Sequence, residues 1–203
     1  MKTSIFTSGV FAGLALSQAT VSGTSGRFKV GYWEDPSLPR HTIYGPIDPP
    51  AGHKAPVLIW GNSACIATGV MFRAFLAEIV SHGMFAISNG AMNGVGATTA
   101  QWQQEALEWV TKQGGTGKYS YVDNSWIAAA GQSCGGLESY KVGADKRIKT
   151  IGIFNSGEFT EAAGKATAAK VGDKPIFFFL GGPTDIAYAN VSMNRIRSAV
   201  LKR

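Results

Sequence analysis

Hydrophobic residues along the chain fall into short continuous runs that alternate with longer segments of helical spacing. The continuous runs are too short for typical helices, and apolar strands without polar alternation are typical of a sheet covered on both faces. They predict five buried strands, at residues 56–61, 84–88, 126–130, 149–157 and 174–182.

The segments between these runs carry apolar residues at the spacing of one helix face. Residues 70–82 and 99–113 show this spacing, and a third helix-compatible segment starts at Leu137. Nearer the N-terminus, residues 28–33 and 40–44 flank a proline-rich turn, which predicts a β-hairpin. Strands that alternate with helices predict an α/β fold, with a mostly parallel sheet and helices on both faces.

Composition and charge narrow the class of protein further. The chain has 203 residues, of which 45% are hydrophobic and 16% charged, as expected for one globular domain. Its net charge of +6 includes four basic residues close to the end of the sequence, Arg195, Arg197, Lys202 and Arg203. No basic stripe interleaved with aromatic residues occurs elsewhere, so the charge argues against a nucleic-acid partner.

The first residues have the features of a secretory signal peptide. A lysine near the start precedes an apolar run at residues 5–16, and Ser17 and Ala19 are small residues at the positions that decide cleavage. A membrane anchor is the alternative, but the run is too short to cross about 30 Å of hydrocarbon. We therefore predict a signal peptide over residues 1–19 and a secreted, extracellular domain over residues 20–203, with no membrane partner after cleavage.

Secretion changes the meaning of the two cysteines, Cys65 and Cys134. A disulfide is the default in an oxidising compartment, and two buried free thiols are the alternative. Secretion also makes the sequon at residues 190–192, which begins with Asn190, a candidate glycan site.

The segment GQSCGG at residues 131–136 contains the pattern G-x-S-x-G with Ser133 at its centre. In one large enzyme class this pattern places a reactive serine on a strained turn between a strand and a helix. Here an apolar run precedes the pattern and a helix-compatible stretch follows it. The pattern also arises by chance in glycine-rich chains, but this context favours Ser133 as a nucleophile.

A serine nucleophile needs donors for the oxyanion that forms in the reaction. One is the backbone N–H of the residue after the nucleophile, here Cys134, and the second comes from the turn after an earlier strand. The turn after the run at residues 56–61 offers either Asn62 or Ser63, unless it is an ordinary strand-ending turn. A working site would bring Cys65, at the end of this turn, close to Cys134, and a disulfide would hold the two segments together.

The acid of a hydrolytic triad follows the nucleophile in sequence and lies after a strand. Asp185 follows the run at residues 174–182 and is the candidate, with Glu158 in reserve. The alternative for Asp185 is a turn residue, because proline, threonine and aspartate favour turns.

Four segments together resemble one known family: PVLIWGNSAC, WQQEALEWV, IAAAGQSCGGLES and FLGGPTDIAY. They are similar to the secreted α/β-hydrolases of fungi and bacteria, loosely akin to cutinase-like and polyester-degrading esterases, over about residues 29–190. The resemblance implies an α/β-hydrolase fold that hydrolyses small-molecule or polymeric esters with a serine, histidine and aspartate triad, without metal or organic cofactor. Carried over by position, it makes Ser133 the nucleophile, Cys134 an oxyanion donor and Asp185 the orienting acid.

The base of such a triad has no counterpart in this sequence. The family places a histidine after the last strand, whereas His41, His53 and His82 all precede Asp185. We expect His53 and His82 at the opposite edge of the sheet from Ser133, and His41 in the remote hairpin. The prediction is an α/β-hydrolase domain that lacks its last strand and histidine loop, with impaired activity, an exposed sheet edge and low stability.

Two functions fit these features. The first is a secreted serine hydrolase of carboxylic esters that is impaired by the missing histidine. The second is a non-catalytic secreted binding protein that retains the hydrolase scaffold. After residue 190 the sequence is polar and basic, as expected of a surface helix or of out-of-frame sequence, and residues 90–98 predict an open or flexible rim. No motif specifies the ester or the oligomeric state.

Overall fold

A computed structural model describes residues 18–185, and these residues form an α/β protein. The greater part of the predicted signal peptide, the sequon at Asn190 and the basic C-terminal residues lie outside this range. The sequence also predicts that the last strand of the fold is missing after Asp185. That part of the chain lies outside the described range as well.

Eight strands and four α-helices occur within residues 18–185. The strands are β1 (Ala19–Val21), β2 (Val30–Trp33), β3 (His41–Pro46), β4 (Ala55–Gly61), β5 (Phe85–Asn89), β6 (Val122–Gln132), β7 (Ile148–Phe154) and β8 (Ile176–Phe179). The helices are α1 (Arg73–Ser81), α2 (Ala100–Gln113), α3 (Cys134–Gly143) and α4 (Glu161–Val171). None of these four helices is long and apolar enough to cross a membrane.

All eight strands belong to one sheet, in the order β1-β2-β3-β5-β4-β6-β7-β8. The five strands β5, β4, β6, β7 and β8 run parallel to one another. At one edge β3 pairs antiparallel with β5, and β2 and β1 continue the antiparallel pairing. β2 and β3 form the predicted hairpin, in which Tyr32 pairs with Tyr44. The predicted α/β class, the mostly parallel sheet and the hairpin are thus confirmed.

Helices cover both faces of the sheet. In β4, Val57 and Ile59 contribute to the core beneath α2 and α3, whereas Leu58 and Trp60 contribute to a second core beneath α1. Because successive residues of a strand face opposite sides, a strand between two helical layers has apolar residues at nearly every position. This arrangement explains why the central strands are continuous apolar runs.

Apart from shifts of a few residues at the strand ends, the observed elements differ from the sequence-based prediction in three places. The pattern does not predict β1, which is only three residues long, or α4, whose face is built from small residues. Alanine nonetheless favours helix, and Thr160 caps α4 by accepting a hydrogen bond from the Ala163 N–H at 3.1 Å. In addition, α3 begins at Cys134 and not near Leu137, so that the helix starts directly after Ser133.

Parallel strands end at the same edge of the sheet, which brings several loops together. The last residues of the parallel strands are Gly61, Asn89, Gln132, Phe154 and Phe179. Sites in open parallel sheets lie outside the carboxyl ends of the strands. The predicted site residues follow the ends of β4, β6 and β8, so all of them belong to this edge.

Candidate active site

Ser133 lies on the turn between β6 and α3. Its backbone has φ 53° and ψ −119°, a conformation that residues with a side chain rarely adopt and that costs about 1–3 kcal/mol. Its N–H donates to the carbonyl of Phe154 in β7 at 2.9 Å, and its own carbonyl accepts from the Ser156 Oγ at 2.6 Å. Hydrogen bonds from β7 and from the loop after it therefore hold the strained turn, while the serine remains partly exposed.

Two glycines of the motif allow the backbone to pass close to itself at this turn. A Cβ at Gly131 would lie 2.4 Å from the backbone of Gly135, and a Cβ at Gly135 would lie 2.2 Å from the backbone of Gly61. The first contact closes the turn, and the second packs the start of α3 against the end of β4. Glycine is required at both places because rigid backbone atoms occupy the space of a side chain.

The Cys65–Cys134 disulfide is present, with its Cα atoms 5.2 Å apart, as the sequence predicts. It joins the 3-10 turn Ser63–Cys65, which follows β4, to the first residue of α3. Ala64 and Cys65 in this turn also have positive φ angles, 50° and 51°. The disulfide thus links this irregular turn covalently to Cys134, the residue that follows Ser133.

The side chain of Asn62 is buried and occupied within the protein. Its Nδ2 donates to the carbonyl oxygens of Ile66 at 3.1 Å, Thr68 at 3.0 Å and Asn89 at 2.7 Å. Its Oδ1 accepts from the Ser88 Oγ at 3.3 Å. The side-chain amide of Asn62 therefore stabilises the turn after β4, and its polar atoms are occupied by protein partners.

Two backbone amides beside Ser133 are available for an anion. Neither the Ser63 N–H nor the Cys134 N–H donates to a protein acceptor among the described residues. Cys134 is the first residue of α3, where the free amides and the helix dipole together attract negative charge. Ser63 is partly exposed, whereas Asn62 is fully buried, so the geometry favours the Ser63 amide of the two candidates.

Asp185 lies beyond the end of β8 and makes contact with the loop after β7. Its Oδ2 accepts hydrogen bonds from the Asn155 Nδ2 and, at 3.2 Å, from the Gly181 N–H. Asn155 directly follows Phe154, whose carbonyl binds the Ser133 N–H. Asp185 is therefore connected to the Ser133 turn through Asn155 and Phe154. The reserve candidate, Glu158, instead accepts from the Thr167 Oγ1 in α4 at 2.6 Å.

The three histidines have partners elsewhere. His53 lies just before β4, at the opposite edge of the sheet from Ser133, and its Nε2 lies 3.0 Å from the carbonyl of Gly83. His82 ends α1, is exposed, and pairs with Glu78 at 3.1 Å. His41 starts β3, which β5 and β4 separate from β6, and its Nε2 lies 2.8 Å from the carbonyl of Trp102.

His41 predicts an acid-sensitive stability. Burial lowers the pKa of its imidazole from 6.5 to about 4, so between these values the unfolded chain binds a proton that the folded chain does not. The free energy of unfolding should therefore fall by about 3 kcal/mol as the pH drops from 6.5 to 4. Urea titrations of the parent and of His41→Gln measure this difference. Identical pH slopes for the two proteins would contradict the prediction.

The loop at residues 90–98 is held in place on the turn after β4. The Ala67 N–H donates to the carbonyl of Gly96 at 3.0 Å, and the Thr68 Oγ1 donates to the carbonyl of Gly94 at 2.7 Å. Thr98 closes the loop through its N–H, which donates to the Cys65 carbonyl at 2.6 Å. At the other end of the loop, the Gly69 N–H donates to the carbonyl of Ala91 at 2.9 Å. Hydrogen bonds therefore hold both ends of the rim that the sequence predicts to be open or flexible.

Several residues of this edge are absent from the sequence-based prediction. Asn155 contacts the predicted acid, and Ser156 contacts the turn at Ser133. Asn89, Thr98 and Glu138 form buried contacts behind the turn after β4. The sequence does contain a signal for the asparagines of this edge. Asn62, Asn89 and Asn155 each end or directly follow a parallel strand, where short polar side chains meet at one edge.

Within residues 18–185, no three histidine, cysteine, aspartate or glutamate side chains converge to a site that could hold a metal ion. A comparison with models of known protein families finds no family that matches the chain, and a comparison with curated proteins finds no similar sequence.

Proposed function

We propose that the chain is a secreted serine hydrolase of carboxylic esters with an α/β-hydrolase fold, and that it reacts slowly. The observation that carries the proposal is the strained turn at Ser133, between a buried parallel strand and a helix, with a disulfide to the turn after β4. This is the context in which a G-x-S-x-G serine acts as a nucleophile. No metal or organic cofactor enters the proposal.

The proposed reaction starts when the Ser133 Oγ attacks the ester carbonyl carbon. A carbon–oxygen bond forms, and the π electrons of the carbonyl move onto its oxygen. Collapse of this intermediate breaks the bond to the alcohol oxygen, so that the alcohol leaves with a proton and the acyl group stays on Ser133. Water then attacks the acyl group, releases the carboxylic acid and restores the hydroxyl.

The free amides of Ser63 and Cys134 are the proposed donors to the oxyanion. The positive end of the α3 dipole adds to their effect. Each donor of this kind contributes about 100-fold to 1,000-fold to the rate in comparable enzymes. The disulfide holds the two donor segments in position before the substrate binds, so less reorganisation is needed during the reaction.

Slow reaction is expected because the Ser133 proton has no imidazole acceptor among the described residues. Each of the three histidines has another partner at another place. The proton then passes to hydroxide or water, while Asp185 keeps the loops after β7 and β8 together. A triad that lacks one member retains only a small part of its activity, through its oxyanion donors and substrate binding.

A fluorophosphonate probe tests the proposal on the purified chain. The Ser133 Oγ would form a bond to phosphorus as the phosphorus–fluorine bond breaks, with fluoride leaving and the hydroxyl proton passing to solvent. We expect one phosphonyl adduct, which mass spectrometry locates at Ser133 after long incubation at alkaline pH. The adduct should disappear in Ser133→Ala and remain in Ser120→Ala, a change of an exposed serine at the other end of β6 from Ser133. An unmodified parent, or an adduct at another serine, would refute the proposal.

A non-catalytic binding protein on the same scaffold is the second candidate. The observation that favours it is the placement of all three histidines away from Ser133. A chain that binds an ester tightly, shows no Ser133-dependent turnover and resists the probe would support this second function.

Secretion is part of the proposal and rests on the N-terminal sequence and on the disulfide, which is compatible with an oxidising compartment. Cleavage after Ala19 would leave Thr20 and Val21 paired with β2. Mass spectrometry of the N-terminus of protein recovered from culture medium tests this, and a retained Met1 would argue against it.

A further inference from the structure

A carboxyl group is buried behind the turn Ser63–Cys65, which carries one of the two proposed oxyanion donors. The proposed reaction does not use this carboxyl group directly. Glu138 lies in α3, and only 4% of its surface is exposed. It belongs to a buried polar cluster that we define as Asn62, Ser88, Asn89, Thr98 and Glu138. This cluster joins the ends of β4 and β5, the segment just before α2, and α3.

Glu138 is connected to the turn after β4 through two chains of hydrogen bonds, which we call its two arms. Its Oε1 accepts from the Thr98 Oγ1 at 2.9 Å, and Thr98 in turn binds the carbonyl of Cys65 through its N–H at 2.6 Å. Its Oε2 accepts from the Asn89 Nδ2 at 3.0 Å, and the carbonyl of Asn89 binds the Asn62 Nδ2 at 2.7 Å. One arm thus ends just before Ser63, and the other ends just after Ala64.

The disulfide and Glu138 restrain different parts of this turn. The disulfide attaches the Cys65 side chain to α3, but it makes no bond to Asn62 at the start of the turn. One arm of Glu138 ends at the backbone of Cys65 and the other at the side chain of Asn62, so together they restrain the turn on both sides of Ser63. An amide contributes to an oxyanion site only when its N–H points to the place where charge develops.

We propose that Glu138 is a positioning residue for the Ser63 amide, holding the turn after β4 in the orientation in which it binds the oxyanion. This inference rests on the proposed hydrolase function. It gives a reason for a buried acid at a place where an apolar side chain would have a lower desolvation cost.

The surroundings of the carboxyl group are consistent with this role. Burial raises the pKa of Glu138, and the hydrogen bonds from Thr98 and Asn89 and the charge of Lys141 partly offset that effect. Asn89 Oδ1 is buried and has no hydrogen-bond partner within residues 18–185. If the side-chain amide of Asn89 rotated by 180°, its Oδ1 could accept a hydrogen bond from the Nε2 of a glutamine at position 138. The glutamine Oε1 could still accept from the Thr98 hydroxyl, so Glu138→Gln can maintain both arms.

Three variants test the proposal through Ser133-dependent hydrolysis of p-nitrophenyl acetate, with the Ser133→Ala rate subtracted. Glu138→Leu removes both arms and should lower kcat by about 10-fold to 100-fold with KM nearly unchanged, because the oxyanion exists only after attack. Glu138→Gln should keep kcat within about 5-fold of the parent. Thr98→Val removes one hydroxyl at constant shape and should lower kcat by about 3-fold to 10-fold.

Thermal unfolding of each variant separates positioning from folding. If Glu138→Leu does not fold, the comparison of Thr98→Val with Glu138→Gln decides the question. A folded Glu138→Leu or Thr98→Val with parental kcat, or a change confined to KM, would overturn the role of Glu138 alone. Absence of Ser133-dependent turnover in the parent would overturn the hydrolase function, and the role of Glu138 with it.

Discussion

A chain in which Cys65 and Cys134 are both replaced by serine is expected to unfold about 8–16 °C below the parent chain. The disulfide closes a loop of 69 residues, and this constraint on the unfolded chain stabilises the fold by about 4 kcal/mol in the chain-entropy model. Calorimetry of the two proteins under the same conditions measures the shift.

The same change should slow the reaction of Ser133 with the fluorophosphonate probe, because the turn that carries Ser63 loses its covalent attachment to α3. The control is treatment of both proteins with a phosphine reductant. The reductant should lower the melting temperature and the labelling rate of the parent but leave the serine variant unchanged. A double variant that melts with the parent would show that the native contacts alone fix these segments.

The rate of Ser133 acylation should rise about 100-fold between pH 7 and pH 9, with no plateau near neutrality. An imidazole base would give a rate that levels off once the ring is neutral, since its pKa is ordinarily about 6.5. Here the three histidines are occupied elsewhere, so hydroxide takes the proton and the rate follows its concentration.

Release of p-nitrophenolate from p-nitrophenyl acetate measures this profile, and the Ser133→Ala variant supplies the background at each pH. A profile that becomes flat above neutral pH would identify a general base at the site. It would contradict the slow, hydroxide-dependent reaction and place the activity among complete serine hydrolases. A profile identical to that of Ser133→Ala would instead support the binding function.

The sequence determined the parts of this protein whose signals are local. Continuous apolar runs mark the central strands because both faces of the sheet are covered, and G-x-S-x-G marks the turn at Ser133 because its glycines meet backbone at close range. The cysteine pair was also predictable, since the predicted secretion favours one bond between two cysteines and the predicted site brings these two together. The alanine-rich α4 lacked such a signal.

Only the tertiary structure decided which polar residues serve the edge of the sheet. The sequence left the backbone N–H groups of Asn62 and Ser63 open as oxyanion donors, and the fold favours Ser63 because Asn62 is fully buried whereas Ser63 is partly exposed. Glu138 looks like an ordinary helix residue in the sequence. Its partners lie 40 and 49 residues away, and no local pattern brings them together. Burial and long-range hydrogen bonds give these residues their roles, and both exist only after the chain has folded.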